Sequence, residues 1–242
     1  MTSRRFFCLL VVLSFFSKSI AAEKIHIHFI SGAREYKSEE CLKAFIPWLE
    51  NRYSVKSTVS WGHDGIKSLD NLEQINDADV LFVFTRRMDL PEAQMKLIRA
   101  HWESGKAIVG VRTASHAFQS ADNELLDRKV MGGNYQGHFG GEPVRVINVA
   151  KDHPVLKNVG DIPTSNRLYK AGSLAKTATV LQQGDIGKAK HDVSWVNIWK
   201  GGRTFYTSLG VPEDFEDADF KRLLVNAIFW TCLLYTSPSP RD

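Results

Sequence analysis

The segment Asp79-Val80-Leu81-Phe82-Val83-Phe84-Thr85 constrains the fold of this chain more than any other, because its five central side chains are all apolar and leave no wet face. A strand with one solvated face alternates polar and apolar residues, whereas an unbroken apolar run suits a strand covered on both sides, as in a parallel sheet. Ala107-Ile108-Val109-Gly110-Val111 has the same character. Between the two, Asp89-Leu90-Pro91-Glu92 predicts a helix start, with Asp89 as its cap, Pro91 in the first turn and Gly105 as its stop.

The preceding residues continue this alternation. Ile25, Ile27 and Phe29 alternate with His26 and His28, as in a strand. Leu42, Phe45, Ile46 and Leu49 have helical spacing from Ser38 on, and Pro47 predicts a kink or an early break there. A short strand over residues 55–60 and a short helix marked by Leu69, Leu72 and Ile75 complete a βαβ series through residue 112. A short helix is expected over residues 123–131 and a strand over 144–149. Two further strands, 193–199 and 204–208, flank Lys200-Gly201-Gly202-Arg203, where Gly201 and Gly202 can supply the positive φ angles of a hairpin turn. Phe220, Leu223, Leu224, Ala227 and Ile228 give residues 217–230 one apolar helical face. The expected architecture is α/β: a doubly wound, mostly parallel sheet with a C-terminal β-hairpin and a closing helix. Residues 23–231 are enough for one sizeable core, so a single domain is expected.

The two ends read differently. Arg4 and Arg5 precede an apolar stretch over residues 6–16, and Ser19, Ala21 and Ala22 follow, the pattern of a secretory signal peptide over residues 1–22. The apolar stretch is shorter than the roughly 20 residues that a membrane anchor needs. Export to the periplasm or the extracellular space is therefore expected. Residues 232–242 resemble one reading frame of a sequencing-library adapter, so native sequence is expected to end near Thr231; a genuine tail is the alternative. Removing Arg4, Arg5, Lys18 and Arg241 from the 31 basic residues, and Asp242 from the 27 acidic ones, reduces the formal charge from +4 to about +1. Such a balance gives no reason to expect a nucleic-acid partner, or a membrane one once the leader is cleaved. Of the three cysteines only Cys41 lies in the expected mature domain, which excludes an intramolecular disulfide there.

Two segments carry the candidate chemistry. Arg112-Thr113-Ala114-Ser115-His116 follows the run at 107–111, and ligands of open α/β sheets bind at the carboxyl ends of strands. Gly132-Gly133-Asn134-Tyr135-Gln136-Gly137-His138 has three glycines, which allow close backbone approach to a ligand. His116 and His138 are the candidate acid and base; the competing reading for His116 is a histidine packed under the next helix. Arg112 is a candidate for holding a carboxylate, phosphate or sugar hydroxyl, or else an ion-pair partner. Glu35 and Tyr36 lie at another strand end, with a solvated loop as the alternative for Glu35. Asn134, Trp195 and Tyr206 join the candidate substrate-binding set, the aromatics as surfaces for sugar rings or else as core. Ser115 has no Gly-x-Ser-x-Gly elbow around it and suits a turn serine better than a nucleophile. A histidine pair also admits a divalent metal, but neither histidine has a short-spacing ligand motif, so no cofactor is expected.

The segment from Ile108 to Phe118, the Gly132-Gly133 to His138 loop, His153-Pro154-Val155 and Phe205-Tyr206-Thr207-Ser208-Leu209-Gly210 together resemble the ThuA-like family, named for trehalose utilisation. The resemblance runs from Lys24 to Trp230. It implies a flavodoxin-like fold akin to class I glutamine amidotransferase domains, and action on a small carbohydrate or oxidised keto-sugar. In the amidotransferase relatives a cysteine occupies the turn that here holds Arg112 to Ser115, so glutaminase chemistry is not expected. Two positions depart from the family pattern. Ser165-Asn166-Arg167-Leu168-Tyr169 stands where many members have an acidic pair before the tyrosine, and Val211 stands where many have a histidine. A non-catalytic sugar-binding protein, or one domain of a larger extracellular protein, are the alternatives to an enzyme. Substrate, reaction type and oligomeric state are not legible from the residues.

Overall fold

The computed structural model describes residues 24–63, 66–119, 121–165 and 167–232. The expected signal peptide, and the expected non-native tail apart from Cys232, lie outside the described residues. β1 (Ile25–Gly32) leads through a 3-10 turn at Arg34–Tyr36 to α1 (Ser38–Arg52) and β2 (Val55–Trp61). A 3-10 helix at Leu72–Asp77, then β3 (Val80–Thr85), α2 (Glu92–Glu103) and β4 (Ala107–Val111) follow. Beyond the 3-10 turn Arg112–His116 come α3 (Asp122–Leu125), a π-helical turn at Leu126–Val130, β5 (Tyr135–His138), β6 (Val144–Asn148), β7 (Pro163–Thr164) and β8 (Tyr169–Ala171). β9 (Thr179–Asp185), β10 (Lys190–Trp199), β11 (Gly202–Thr207) and α4 (Ala218–Thr231) complete the described chain.

Nine strands form one sheet in the order β2-β1-β3-β4-β11-β10-β9-β6-β7. The first five are parallel, which is the doubly wound order of a flavodoxin-like fold. The remaining strands extend it antiparallel from β11 outward. β5 and β8 pair separately as a small antiparallel ribbon.

Strand periodicity assigns the two faces of the sheet. Ile27, Phe29, Val80, Phe82, Phe84, Val109 and Phe205 face one core, which α1 and α4 close with Leu42, Phe45, Leu224 and Ile228. Ile30, Leu81, Val83, Ile108, Trp195 and Tyr206 face the other, together with Met95, Ile98 and Trp102 of α2. Every residue of β3 and β4 is buried, as the apolar runs predict. β1 is buried on both faces too, so its histidines need partners. The His26 and His28 rings both contact the Thr58 hydroxyl, at 3.0 and 2.8 Å, and His28 also meets Ser60.

Local details differ from the sequence reading in four places. α1 runs unbroken through Pro47, because Phe45, Ile46 and Leu49 hold both sides of the proline against the core. Asp89 does not cap α2, whose N-cap is Pro91 without a side-chain bond. The helix expected over 123–131 divides into α3 and the π turn, where Met131 N–H reaches the Leu126 carbonyl at 2.8 Å. In the β10–β11 hairpin the positive φ angles fall on Lys200 and Gly201, not on Gly202. Gly202 is required for another reason: a Cβ there would lie 2.1 Å from the Gly105 carbonyl oxygen.

Asp217 caps α4, accepting from the Asp219 and Phe220 amides at 2.8 and 2.9 Å. Asp217→Ala is expected to destabilise the protein by about 1 kcal/mol, read as a lower urea midpoint at unchanged slope. An unchanged midpoint would show that the cap contributes nothing.

Candidate functional site

The chain leaves β1 for β2 on one side and continues to β3 on the other, so the switch point of the sheet lies between β1 and β3. Open α/β sheets bind ligands in the crevice beyond the carboxyl ends of the strands at this point. Here β1 delivers Glu35 and Tyr36, β3 delivers Arg86 and Arg87, and β4 delivers Arg112 to His116. The β5–β8 ribbon adds Tyr135, His138 and Tyr169, with His138 opposite Tyr169 in the register.

Arg112 sits at a strained strand-to-helix elbow. Its φ of 53° is left-handed, a conformation uncommon outside glycine. Tyr206 donates its hydroxyl proton to the Arg112 carbonyl at 2.7 Å and fixes the elbow from below. The side chain is only 2% exposed. Its guanidinium lies 4.6 Å from the Tyr36 ring and 4.3 Å from the Tyr169 ring, and donates to the Ser208 carbonyl, the Tyr36 hydroxyl and the Arg167 carbonyl. Arg112 forms no salt bridge to a carboxylate among the described residues, and most of its guanidinium donors are engaged within the protein.

His116 ends the same turn. Its ring stacks on Tyr135 at 4.5 Å, and its Nδ1 lies 3.1 Å from the Ser115 hydroxyl. Burial, then the positive charges of Arg87, Arg86 and Arg112, and then His138, push its pKa down to about 3. The imidazole is neutral at ordinary pH and can accept a proton. His138 is exposed, and its Nδ1 lies 2.7 Å from the Phe139 carbonyl. A carbonyl only accepts, so Nδ1 carries the proton and Nε2 is left for a ligand. The two histidines flank one ring, with His116 6.1 Å and His138 6.3 Å from Tyr169.

The other candidates divide. Glu35, exposed on the rim of the crevice, bridges Arg86 and Arg167 at 3.4 and 3.5 Å. Tyr36 lies beneath Arg112. Trp195 and Tyr206 do not offer faces to a sugar: they are 3% and 1% exposed and line a small cavity of about 10 Å³ with Ser115, Asp127, Tyr135 and Tyr169. That volume is of the order of one water. Asn134 is not brought to the histidines and lines a separate pocket of about 490 Å³ with Arg128, Lys129 and Trp199. Val211 is 1% exposed and belongs to the α1/α4 core, so the position of the family histidine adds no polar group here. His153 is a turn residue, accepting from the Val155 amide. Among the described residues no three His, Cys, Asp or Glu side chains cluster to hold a metal ion.

Several residues that matter carry no motif. Asn123 fastens the His116 turn, donating to the Ser115 carbonyl and accepting from the Phe118 amide. Asp127, on the π turn, accepts from the Tyr135 amide at 2.9 Å and from Gly133 through its own carbonyl, which sets the path of the glycine loop. Nothing in the sequence marks it, since it stands in a charged stretch beside Glu124, Arg128 and Lys129. Burial, partly offset by the Tyr135 N–H, raises its pKa to about 6. A folded pKa above the ordinary 3.8 means that the protonated form favours folding, and that this stability is lost as pH rises from about 4 through about 6. Asp127→Asn should therefore gain on the native protein by about 3 kcal/mol between pH 4 and pH 7. His28 and His101, each pushed down to about 4 by burial, act in the opposite sense but cancel in this difference. A difference independent of pH would contradict the assignment.

The sequence profile of the family described as "ThuA: Trehalose utilisation" matches residues 27–231. Among solved structures, a protein described as ThuA-like from Bacteroides uniformis superposes with a TM-score of 0.67 at 16% identity, covering 89% of this chain and 95% of that one. One from Parabacteroides merdae gives 0.66 at 15% identity, covering 90% and 97%. The cytoplasmic protein STM1381 from Salmonella typhimurium gives 0.60 at 12% identity, covering 86% and 99%. A search of curated proteins finds no match. At these identities the superpositions show the fold, and the profile match over most of the chain shows the family: this chain belongs to the ThuA, or trehalose utilisation, family.

Proposed function

We propose that this protein is an exported enzyme acting on a small carbohydrate or keto-sugar by proton transfer next to a carbonyl or at a glycosidic oxygen, as a hydrolase, lyase or isomerase. His116 is the base, because its ring is neutral, and His138 is the acid in its doubly protonated form, donating from Nε2. The observation that carries the reading is the pair of histidines around Tyr169, at the carboxyl edge of the parallel strands. Thiol catalysis of the amidotransferase kind does not fit the described residues. Arg112 occupies the elbow, and the Cys41 thiol is buried against the Tyr36 carbonyl, with its pKa pushed up to about 12 by burial and nearby glutamates. Glu35, through its arginine pairs, and Arg112, through its aromatic box, shape the crevice.

The test is turnover of 3-keto-glycosides and trehalose by the purified protein and by its His116→Ala and His138→Ala variants. Activity in the native protein that falls in both variants supports the proposal. Inactivity of the native protein across the panel, or full activity in both variants, overturns it. A second reading, a sugar-binding protein without catalysis, is favoured by the burial of Val211 in the core. Saturable binding without turnover would establish that one.

A further inference from the structure

We infer that the ligand of this crevice carries an oxyanion, a carboxylate or phosphate group on the sugar, held by the exposed guanidinium of Arg87 beside His116. The sugar part rests on the function proposed above; the charge does not. Arg86, Arg87, Arg112 and Arg167 meet at the crevice, where Glu35 pairs with two of them. Its Oε2 serves Arg86 and its Oε1 serves Arg167. Arg112 is a buried cation facing two tyrosine rings, with its Nε unpartnered. The buried Asp214 carboxyl feels this charge, and an anion in the crevice would balance the arginines beside it.

Arg87 is the arginine free to do this. Its backbone is fixed, with its N–H donating to the His116 carbonyl at 2.8 Å and its carbonyl accepting from Gln119. Its guanidinium has no acidic partner among the described residues. Its φ is 46°, so the ends of the adjacent parallel strands β3 and β4 both present an arginine in the left-handed region. Such backbone costs about 1 kcal/mol or more and persists where the surroundings impose it, often at ligand sites. A planar guanidinium suits carboxylate and phosphate oxygens, which it can hold in two parallel hydrogen bonds.

The charge also bears on the base. Arg87, Arg86 and Arg112 are the leading charges that keep His116 from accepting a proton, and Tyr135, Tyr169, Ser115 and His138 are the other polar groups facing its ring. An oxyanion beside these arginines offsets their field and returns the imidazole towards the range in which proton transfer is efficient. The ligand would then both dock on the arginines and activate the base.

The test is calorimetric titration of the purified protein with D-glucuronate, D-glucose 6-phosphate, D-glucose and inorganic phosphate, with His116 titrated by NMR in the presence and absence of saturating probe. At least one charged sugar should bind about tenfold or more tightly than glucose, with affinity falling at high salt. Arg87→Gln should erase that preference, Arg87→Lys should retain part of it, and the His116 pKa should rise by about one unit or more on binding. Thermal melts of both variants check that they are folded. Preference for glucuronate or for the phosphate ester identifies the source of the oxyanion. Equal binding of glucose, or a preference that survives Arg87→Gln, overturns the inference and leaves the carbohydrate reading standing. Arg87-dependent binding of phosphate with no sugar bound keeps the inference and overturns the carbohydrate reading. No binding of any probe overturns both.

Discussion

Replacing His116 with glutamine should lower kcat/KM on a turned-over keto-glycoside by about two to four orders of magnitude, the usual contribution of a positioned base. The variant should keep its fold, because the ring is only partly buried and makes one side-chain hydrogen bond, to Ser115. Ser115→Ala, by contrast, should change the rate only a few-fold, since Ser115 stands in a turn and not on a nucleophile elbow. The pH profile separates a base from a structural ring. The free protein holds His116 neutral down to about pH 3, so the acidic limb of kcat/KM should lie well below the ordinary histidine value of 6.5. A limb near 6.5, or a glutamine variant within a few-fold of native, would remove His116 from the chemistry.

The second large effect concerns the sheet that carries the site. Phe82 is fully buried in β3, 4.8 Å from the Phe29 ring and 6.4 Å from Phe45. Phe82→Ala deletes the ring between β1 and α1 and is expected to destabilise the protein by about 3 to 5 kcal/mol. For a domain of this size that corresponds to a fall of about 10 °C in Tm. Ile198→Ala is the control: Ile198 is 44% exposed, and its loss should fall within about 0.5 kcal/mol. Equal effects at the two positions would contradict the assignment of the core. β3 also ends in Arg86 and Arg87, so a looser β3 should weaken ligand binding before global unfolding.

The doubly wound sheet was legible because hydrophobic periodicity reports burial directly. Val80 to Phe84 could only be a strand covered twice, and it lies in the middle of the parallel strands. The π turn was not legible, since one extra residue per turn changes hydrogen bonding without changing composition. Pro47 misled because propensity is local and the α1 core contacts are not. Strand ends and the glycine loop pointed to His116, His138 and Arg112, which the fold gathers around Tyr169, and to Tyr36, which it sets against Arg112. Trp195 and Tyr206 were placed in the right region but on the wrong side of it, because an aromatic residue in a strand reads the same whether its ring meets ligand or core. Asp127 was not legible, because its place became visible only when the fold buried it beneath the ribbon.

The proposed chemistry needs one ligand shared by two histidines, and a crystal structure with a bound keto-sugar or sugar acid tests this most directly. It should show ligand oxygens within about 3 Å of both His116 and His138 Nε2, at the carboxyl edge of β1, β3 and β4. A ligand seated instead in the pocket beside Asn134 and Trp199, or histidines more than about 10 Å apart with no shared ligand, would contradict it.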